Sequence, residues 1–290
     1  MSETKQVKNK KRSQWLDVWM RLKKNKSAMF GLFIIFLLFF CAIFADVIAP
    51  YGIDDQDLSK SLIKPGAEYW FGTDNFGRDI FSRIVYGSRI SLMVGFIAVS
   101  ISMVTGGTLG AIAGFFGGRT DNIIMRAMDI LLAIPSILLA ISIVSALGPG
   151  LINVMIAVGI SSIPSYARIV RASVITLKDQ EFVEAARAVG TSNFRIITKH
   201  IIPNSLAPII VQATLGVAGA ILSAAGLSFI GLGIQPPTPE WGSMLSAGRQ
   251  FIRDYPHISM FPGLVIMITI FGLNLFGDGL RDALDPRLRN

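Results

Sequence analysis

Charge is scarce in this chain, and so are the residues from which most catalytic and metal sites are built. Of its 290 residues, 16% are charged, against about 25% in an ordinary soluble domain. The single cysteine, Cys41, excludes an internal disulfide. The two histidines, His200 and His257, do not form an H-E-x-x-H motif, which argues against a zinc site built by this chain alone.

Motifs that handle nucleotides or acyl groups are missing as well. The nearest approach to a phosphate-binding loop ends at Thr120, but Ala113 replaces its first glycine and Arg119 replaces its lysine. No G-x-S-x-G nucleophile elbow occurs. We therefore predict a chain that is not an enzyme and that binds no cofactor or metal. Any uphill transport would use ATP bound by other subunits.

Apolar residues, in contrast, are abundant, at 52% of the chain with a mean hydropathy of +0.57. A helix needs about 20 apolar residues to cross the hydrocarbon core of a bilayer. Segments with that character are 28–48, 88–117, 126–147, 151–170, 206–233 and 259–276. The turn signal at 148–150 predicts that the third and fourth form an antiparallel hairpin. The predicted fold is an all-α polytopic membrane protein with about six transmembrane helices.

Basic residues are distributed unevenly between the two sides of these spans. With the N-terminus inside, segments 1–27, 118–126, 168–206 and the C-terminal tail carry 20 of the 27 lysines and arginines. Because basic residues concentrate in cytoplasmic loops, both termini are predicted to be cytoplasmic. The chain then divides into a cytoplasmic arm 1–27, a first transmembrane helix 28–49, an extracytoplasmic loop 50–87, a five-helix core 88–281 and a tail 282–290.

The basic arm and the extracytoplasmic loop suggest contacts outside the bilayer core. In the arm, Trp15, Leu16, Trp19 and Met20 recur at helical spacing, with lysines before and after them, which is typical of an amphipathic helix at the lipid headgroups. We therefore expect lipid, and no nucleic acid, as its partner. The many acids of the loop fit either a solvated surface or a docking surface for an external partner.

Small residues recur every four positions within the spans, as in Ser102, Gly106, Gly110, Gly114 and Gly118. Such rows let helix backbones approach closely in lipid. They fit packing within this chain, packing against a second membrane subunit, or the lining of a pathway.

The cytoplasmic loop 178–206 is the most informative segment, because it predicts two short helices joined by a turn. Asp179 is placed to start the first helix and Gly190 to end it. Thr191 or Ser192 is placed to cap the second helix, and Pro203 to end it.

One face of the first of these helices is predicted to dock on another protein. Phe182, Ala185, Ala186 and Val189 follow one another at i, i+3, i+4 and i+7. The alanines keep that face shallow, so that it could press into a groove of a partner.

This loop resembles the EAA loop of ABC-importer permeases, which reads E-A-A, three residues, Gly, nine residues and I-x-L-P. The residues that match are Glu184, Ala185, Ala186, Gly190 and Pro203. His200 and Ile202 depart from the pattern at its Ile and Leu positions. Stretches that resemble the dipeptide/oligopeptide permeases, in the same order, are 70–74, 77–79, 82–83, 87–92, 227–233, 241–242 and 277–286.

The resemblance implies a C-type subunit with the type I ABC-importer permease fold, in a bacterial or archaeal plasma membrane. Its implied partners are a homologous second permease, two ATP-binding subunits that bind ATP and Mg, and an extracytoplasmic substrate-binding protein. The matching loop residues, Glu184, Ala185, Ala186, Gly190 and Pro203, would couple to the ATPases.

The implied substrates are di- and oligopeptides, with nickel or a metal–metallophore complex as the alternative. A secondary transporter or channel is a remote alternative, because ionisable residues are scarce in the spans. The residues that line the substrate pathway are not assigned by the sequence.

Overall fold

The computed structural model describes residues 14–285, and within them the chain is helical, with no β-strand. The helices are α1 (Gln14–Lys24), α2 (Lys26–Ile43), α3 (Ala45–Ile48), α4 (Ile80–Phe116), α5 (Gly118–Leu132), α6 (Ser136–Leu147), α7 (Leu151–Leu177), α8 (Glu181–Ala188), α9 (Asn193–Ile196), α10 (Ile202–Asn204), α11 (Leu206–Phe229), α12 (Trp241–Gly248) and α13 (His257–Leu284). Short 3₁₀ segments lie at Leu58–Lys60 and Arg249–Phe251, and a π-helical segment lies at Ile197–Ile201.

Five of these helices, α2, α4, α7, α11 and α13, are long and apolar enough to cross a membrane. The pair α5 and α6 makes a sixth span if its two bent halves are counted together. The prediction of a helical polytopic protein with about six spans is therefore confirmed. Residues 1–13 of the predicted arm and residues 286–290 of the predicted tail lie outside the described residues.

The third predicted span, 126–147, is divided into two helices by a sharp bend. Helix α5 ends at Leu132, and α6 leaves it at an angle of 86°. Pro135 explains the break, because proline donates no backbone hydrogen bond and disfavours a helical conformation in the residue before it. With 12 residues, α6 is about 18 Å long, which is shorter than the hydrocarbon core of about 30 Å.

The second span is longer than predicted, because α4 starts at Ile80 rather than at residue 88. Asp79 is its N-cap, and its Oδ2 accepts hydrogen bonds of 2.7 Å from the backbone N–H and the hydroxyl of Ser82. These bonds satisfy backbone donors that the first turn of a helix leaves free. The last residues of the predicted loop 50–87 are thus helical.

The row of small residues in α4 packs against α7 of the same chain. A Cβ at Gly106 would overlap the carbonyl oxygen of Ile163, and one at Gly110 would overlap that of Ala167. The buried Ser102 hydroxyl lies 2.8 Å from the carbonyl oxygen of Gly159, also on α7. Close approach within the chain is therefore what these residues permit.

The remaining spans surround this pair. Helix α11 packs against α4, α7 and α13, and α2 packs along α13. On the predicted cytoplasmic side, α1 folds back so that Leu22 is buried against Ala28 and Ala283. The residues Leu16, Trp19 and Met20 of α1 remain exposed, as an interfacial helix would require.

Candidate coupling site

Gly190 ends helix α8 as the sequence predicts. Its φ of +76° is a conformation that residues with a side chain seldom adopt. The Gly190 N–H donates to the carbonyl of Arg187, at 2.9 Å, and the Thr191 N–H donates to that of Ala186, at 3.0 Å. This pair of bonds is a Schellman motif, which satisfies carbonyls that the end of a helix leaves free.

The side of α8 that faces the protein differs from the predicted face. Val183 and Ala186 are buried, whereas Ala185 and Val189 are exposed and Phe182 is half-buried. Ala186 therefore contacts this chain and does not share an outward face with Ala185. The rotation of α8 is set by the apolar surface beneath it, which comes from segments distant in the sequence.

That surface joins the loop to the ends of three spans. Val183 and Ala186 belong to one hydrophobic cluster with residues of α4, of α7, of α11 and of the segment after the turn: Ala111, Phe115, Val170, Val174, Ile196, Ile197, Ile201 and Ile209. The guanidinium of Arg187 also lies 5.4 Å from the centre of the Phe115 ring. The loop is thus packed firmly onto the ends of α4 and α7.

After the turn, the chain does not follow the predicted second helix. Ser192 is the N-cap residue of α9, but its side chain accepts no capping bond. Pro203 does not end the helix, since the chain passes through the π-helical segment Ile197–Ile201 and through α10, and turns at Ser205. The wider π turn accommodates a proline, which lacks an N–H and clashes with the carbonyl four residues earlier.

The outward surface of the loop carries two large apolar side chains. Val189 is 79% exposed and Phe194 is 77% exposed. Glu184, Ala185 and Gly190 are exposed beside them. We call these five residues the loop tip. Large apolar side chains that stay exposed together with charged ones are typical of an interaction surface.

At the opposite end of the bundle, the loop before α4 is held by a buried cluster of charges. Asp74 Oδ2 accepts from the guanidinium of Arg78 at 2.7 Å and lies 3.7 Å from Nε of Arg83. All three residues are less than 10% exposed. Such a cluster fixes the loop on α4, because separating the charges would leave one of them buried and unpaired.

A second loop closes over the same end of α4. Trp241 is fully buried, and its indole N–H donates to the carbonyl of Ile84 at 3.0 Å. Glu240 caps α12 by accepting from the N–H groups of Gly242 and Ser243, each at 2.8 Å. Burial raises the pKa of Glu240, and these hydrogen bonds partly oppose the rise. Trp241, in the stretch 241–242 that resembles the family, therefore holds this loop against α4.

Two family sequence models match the chain. The model described as binding-protein-dependent transport system inner membrane component matches residues 106–290. The model described as N-terminal TM domain of oligopeptide transport permease C matches residues 13–65.

Curated relatives match along nearly the whole chain. The dipeptide transport system permease protein DppC of Alkalihalophilus pseudofirmus is 54% identical over 96% of this chain and 91% of its own length. The di/tripeptide transport system permease protein DppC of Pseudomonas aeruginosa is 46% identical, over 94% and 92%. The glutathione transport system permease protein GsiD of Escherichia coli is 46% identical, over 96% and 92%.

Solved structures share the fold. The MetNI methionine ABC transporter, in an inward-facing conformation, gives a TM-score of 0.57 at 18% identity, over 70% of this chain and 96% of the other. An amino acid ABC transporter gives 0.54 at 15% identity, over 69% and 94%. At such identities the likeness establishes the architecture alone.

The apolar spans, the match to the transport-system family model and the likeness to solved ABC importers together define a membrane permease of the type I ABC-importer fold. The chain belongs to the family of binding-protein-dependent transport system inner membrane components, as a C-type permease subunit. It is thus a multi-pass membrane protein that works in a complex with ATPase and binding-protein partners.

Proposed function

We propose that this chain forms half of the translocation pathway of an ATP-driven importer of di- and oligopeptides, in a bacterial or archaeal plasma membrane. The observation that carries the proposal is similarity along almost the entire chain to permeases whose names state dipeptide, di/tripeptide and glutathione transport. These names favour peptides over nickel or a metal–metallophore complex. Membership of a binding-protein-dependent family favours ATP-driven import over a secondary transporter or channel.

The proposed complex contains this chain, one homologous second permease, two ATP-binding subunits and an extracytoplasmic substrate-binding protein. ATP and Mg bind to the ATP-binding subunits, and this chain holds no cofactor or metal of its own. Phosphoryl transfer then belongs to the partners, and the task of this chain is mechanical.

The loop tip is the proposed contact with an ATP-binding subunit. Glu184 and Ala185 are exposed and available for contact, together with Val189 and Phe194, which the sequence pattern did not single out as a pair. Ala186, in contrast, supports α8 from inside, and Pro203 shapes the path from the loop to α11.

The packing beneath the loop tip supports mechanical coupling. Val183 and Ile196 are fully buried against the ends of α4 and α7. A displacement of the loop tip, when the ATPases close, would therefore move those helices with it, because a packed core transmits strain rather than absorbing it.

The test is affinity purification of the tagged chain in mild detergent, with co-purifying proteins identified by mass spectrometry. We expect a second permease and ATP-binding subunits in the wild-type preparation. The double variant Val189→Ser, Phe194→Ser should lose the ATP-binding subunits and keep the second permease.

A matched control is Ile252→Ser, which changes an apolar side chain that is 61% exposed outside the loop. This variant should recover the ATP-binding subunits as the wild type does. Recovery of this chain alone, from wild-type material, would contradict the proposed complex.

A further inference from the structure

A polar cleft lies among the spans, at a place where the sequence assigns no function. Helices α4, α6, α7 and α11 line a half-open cleft of about 300 Å³. Polar side chains from all four helices line it: Ser102, Ser136, Ser162, Ser165, Gln212 and Ser223. In the described part of the chain, none of the residues that line this cleft is an acid, a base or a histidine.

Most of these polar groups are free to bind something else. Hydroxyls in membrane helices usually donate to a carbonyl of their own helix, as Ser100, Ser142 and Thr214 do here, at 2.8–2.9 Å. The side chains of four serines and one glutamine in the cleft have no such partner within residues 14–285; they are Ser136, Ser162, Ser165, Gln212 and Ser223. Several uncommitted hydrogen-bonding groups thus converge on one space inside an apolar bundle.

A contact between α7 and α11 fixes part of the lining of the cleft. Tyr166 is buried, and its hydroxyl donates to the backbone carbonyl of Gln212 at 3.2 Å. Gly216 leaves room for that hydroxyl, since a Cβ there would overlap it. This hydrogen bond therefore links α7 to α11 within the lining of the cleft.

We infer that this cleft holds the substrate during passage and binds the main chain of a peptide without selecting among side-chain charges. The inference rests on the proposed function. Hydroxyl and amide groups both donate and accept hydrogen bonds, so they match the N–H and C=O groups that every peptide carries. A fixed charge would instead attract peptides of one sign and repel the other. A bare metal ion would find no carboxylate, imidazole or thiolate here.

The test introduces a charge at Ser162 in the complete importer, reconstituted in proteoliposomes with its partner subunits and binding protein. Uptake of radiolabelled Ala-Ala, Ala-Lys and Ala-Glu is compared. We expect Ser162→Asp to lower the ratio of Ala-Glu to Ala-Lys uptake about tenfold, and Ser162→Lys to raise it by a similar factor, from the attraction and repulsion of charges in a confined site. Ser162→Asn, which has the shape of the aspartate without its charge, should leave the ratio unchanged.

Equal effects of the aspartate and the lysine on all three peptides, or no effect on any, would overturn the inference. Wild-type importer that takes up none of the peptides with ATP would instead overturn the proposed function, which separates the two failures.

A second measurement does not depend on transport by the charged variants. In a Cys41→Ser background, Ser162→Cys in the complete importer should react with a water-soluble methanethiosulfonate reagent. Ala-Ala supplied with the binding protein and ATP should slow that reaction at least severalfold. A cysteine that the reagent does not reach, or that the peptide does not protect, would count against the cleft as the place of passage.

Discussion

At the scale of single residues, Gly190 shows how one backbone angle can shape the proposed contact surface. Its φ is +76°, and no atom lies within 4 Å of the position that a Cβ would take. A substitution there therefore acts through backbone strain and not through a clash. The αL conformation costs about 1–2 kcal/mol for residues with a Cβ, and asparagine tolerates it best.

We predict that Gly190→Val leaves membrane insertion intact and uncouples ATP hydrolysis from uptake, because valine shifts the turn that presents Val189 and Phe194. Gly190→Asn should keep both activities near those of the wild type. ATPase activity and peptide uptake of the reconstituted importer are the measurements. Normal uptake by the valine variant would contradict the role given to this turn.

Asp74 is a second residue that should strongly affect stability, because its carboxylate pairs with the buried guanidinium groups of Arg78 and Arg83. We predict that Asp74→Asn destabilises the protein by about 3–5 kcal/mol, the usual cost of breaking a buried ion pair. The exposed pair of Lys60 and Glu68 gives a control, Glu68→Gln, with a much smaller effect. Thermal unfolding in detergent compares them, and equal shifts would contradict the burial of the cluster.

At the scale of helices, the contact between α4 and α7 depends on glycines placed every fourth residue. Gly110 touches the backbone of α7, whereas Gly107, three residues earlier, has its nearest neighbour 3.8 Å from the position of a Cβ. Gly110 therefore has no room for a side chain, whereas Gly107 has. Only Gly110 belongs to the row of small residues that recurs every four positions in the sequence.

We predict that Gly110→Ala lowers stability by about 1–3 kcal/mol through overpacking, while Gly107→Ala is tolerated. Thermal unfolding of the two purified variants measures the difference. Equal stability of both variants would show that α4 and α7 lie farther apart than the structure has them.

The sequence predicts which segments are helical, but it does not predict how the helices are oriented. The apolar segments, the cap at Gly190 and the turn at 148–150 all depend on local residues, and they were found. Pro135 and Pro203 are local signals for a break and for the π turn, but neither predicts the angle of 86° before α6 or the path of the chain after the turn. The inward face of Ala186 depends on contacts between distant segments. The cleft escaped prediction for the same reason, since its serines come from separate helices and look like ordinary membrane serines one at a time.

At the scale of the whole molecule, the two proposed functional regions lie on the same set of helices. Helix α8, which with its C-terminal turn carries most of the loop tip, packs through Val183 and Ala186 onto the ends of α4 and α7, and α4 and α7 also line the polar cleft. Movement imposed on the loop would therefore change the shape of the cleft, which is what coupling of ATP hydrolysis to transport requires.

The most direct test of this account is the accumulation of radiolabelled Ala-Ala by proteoliposomes that contain this chain with its partner subunits. We predict accumulation only when ATP is present on the side of the ATP-binding subunits and the binding protein is on the other. Accumulation by this chain alone, driven by an ion gradient without ATP, would contradict the account.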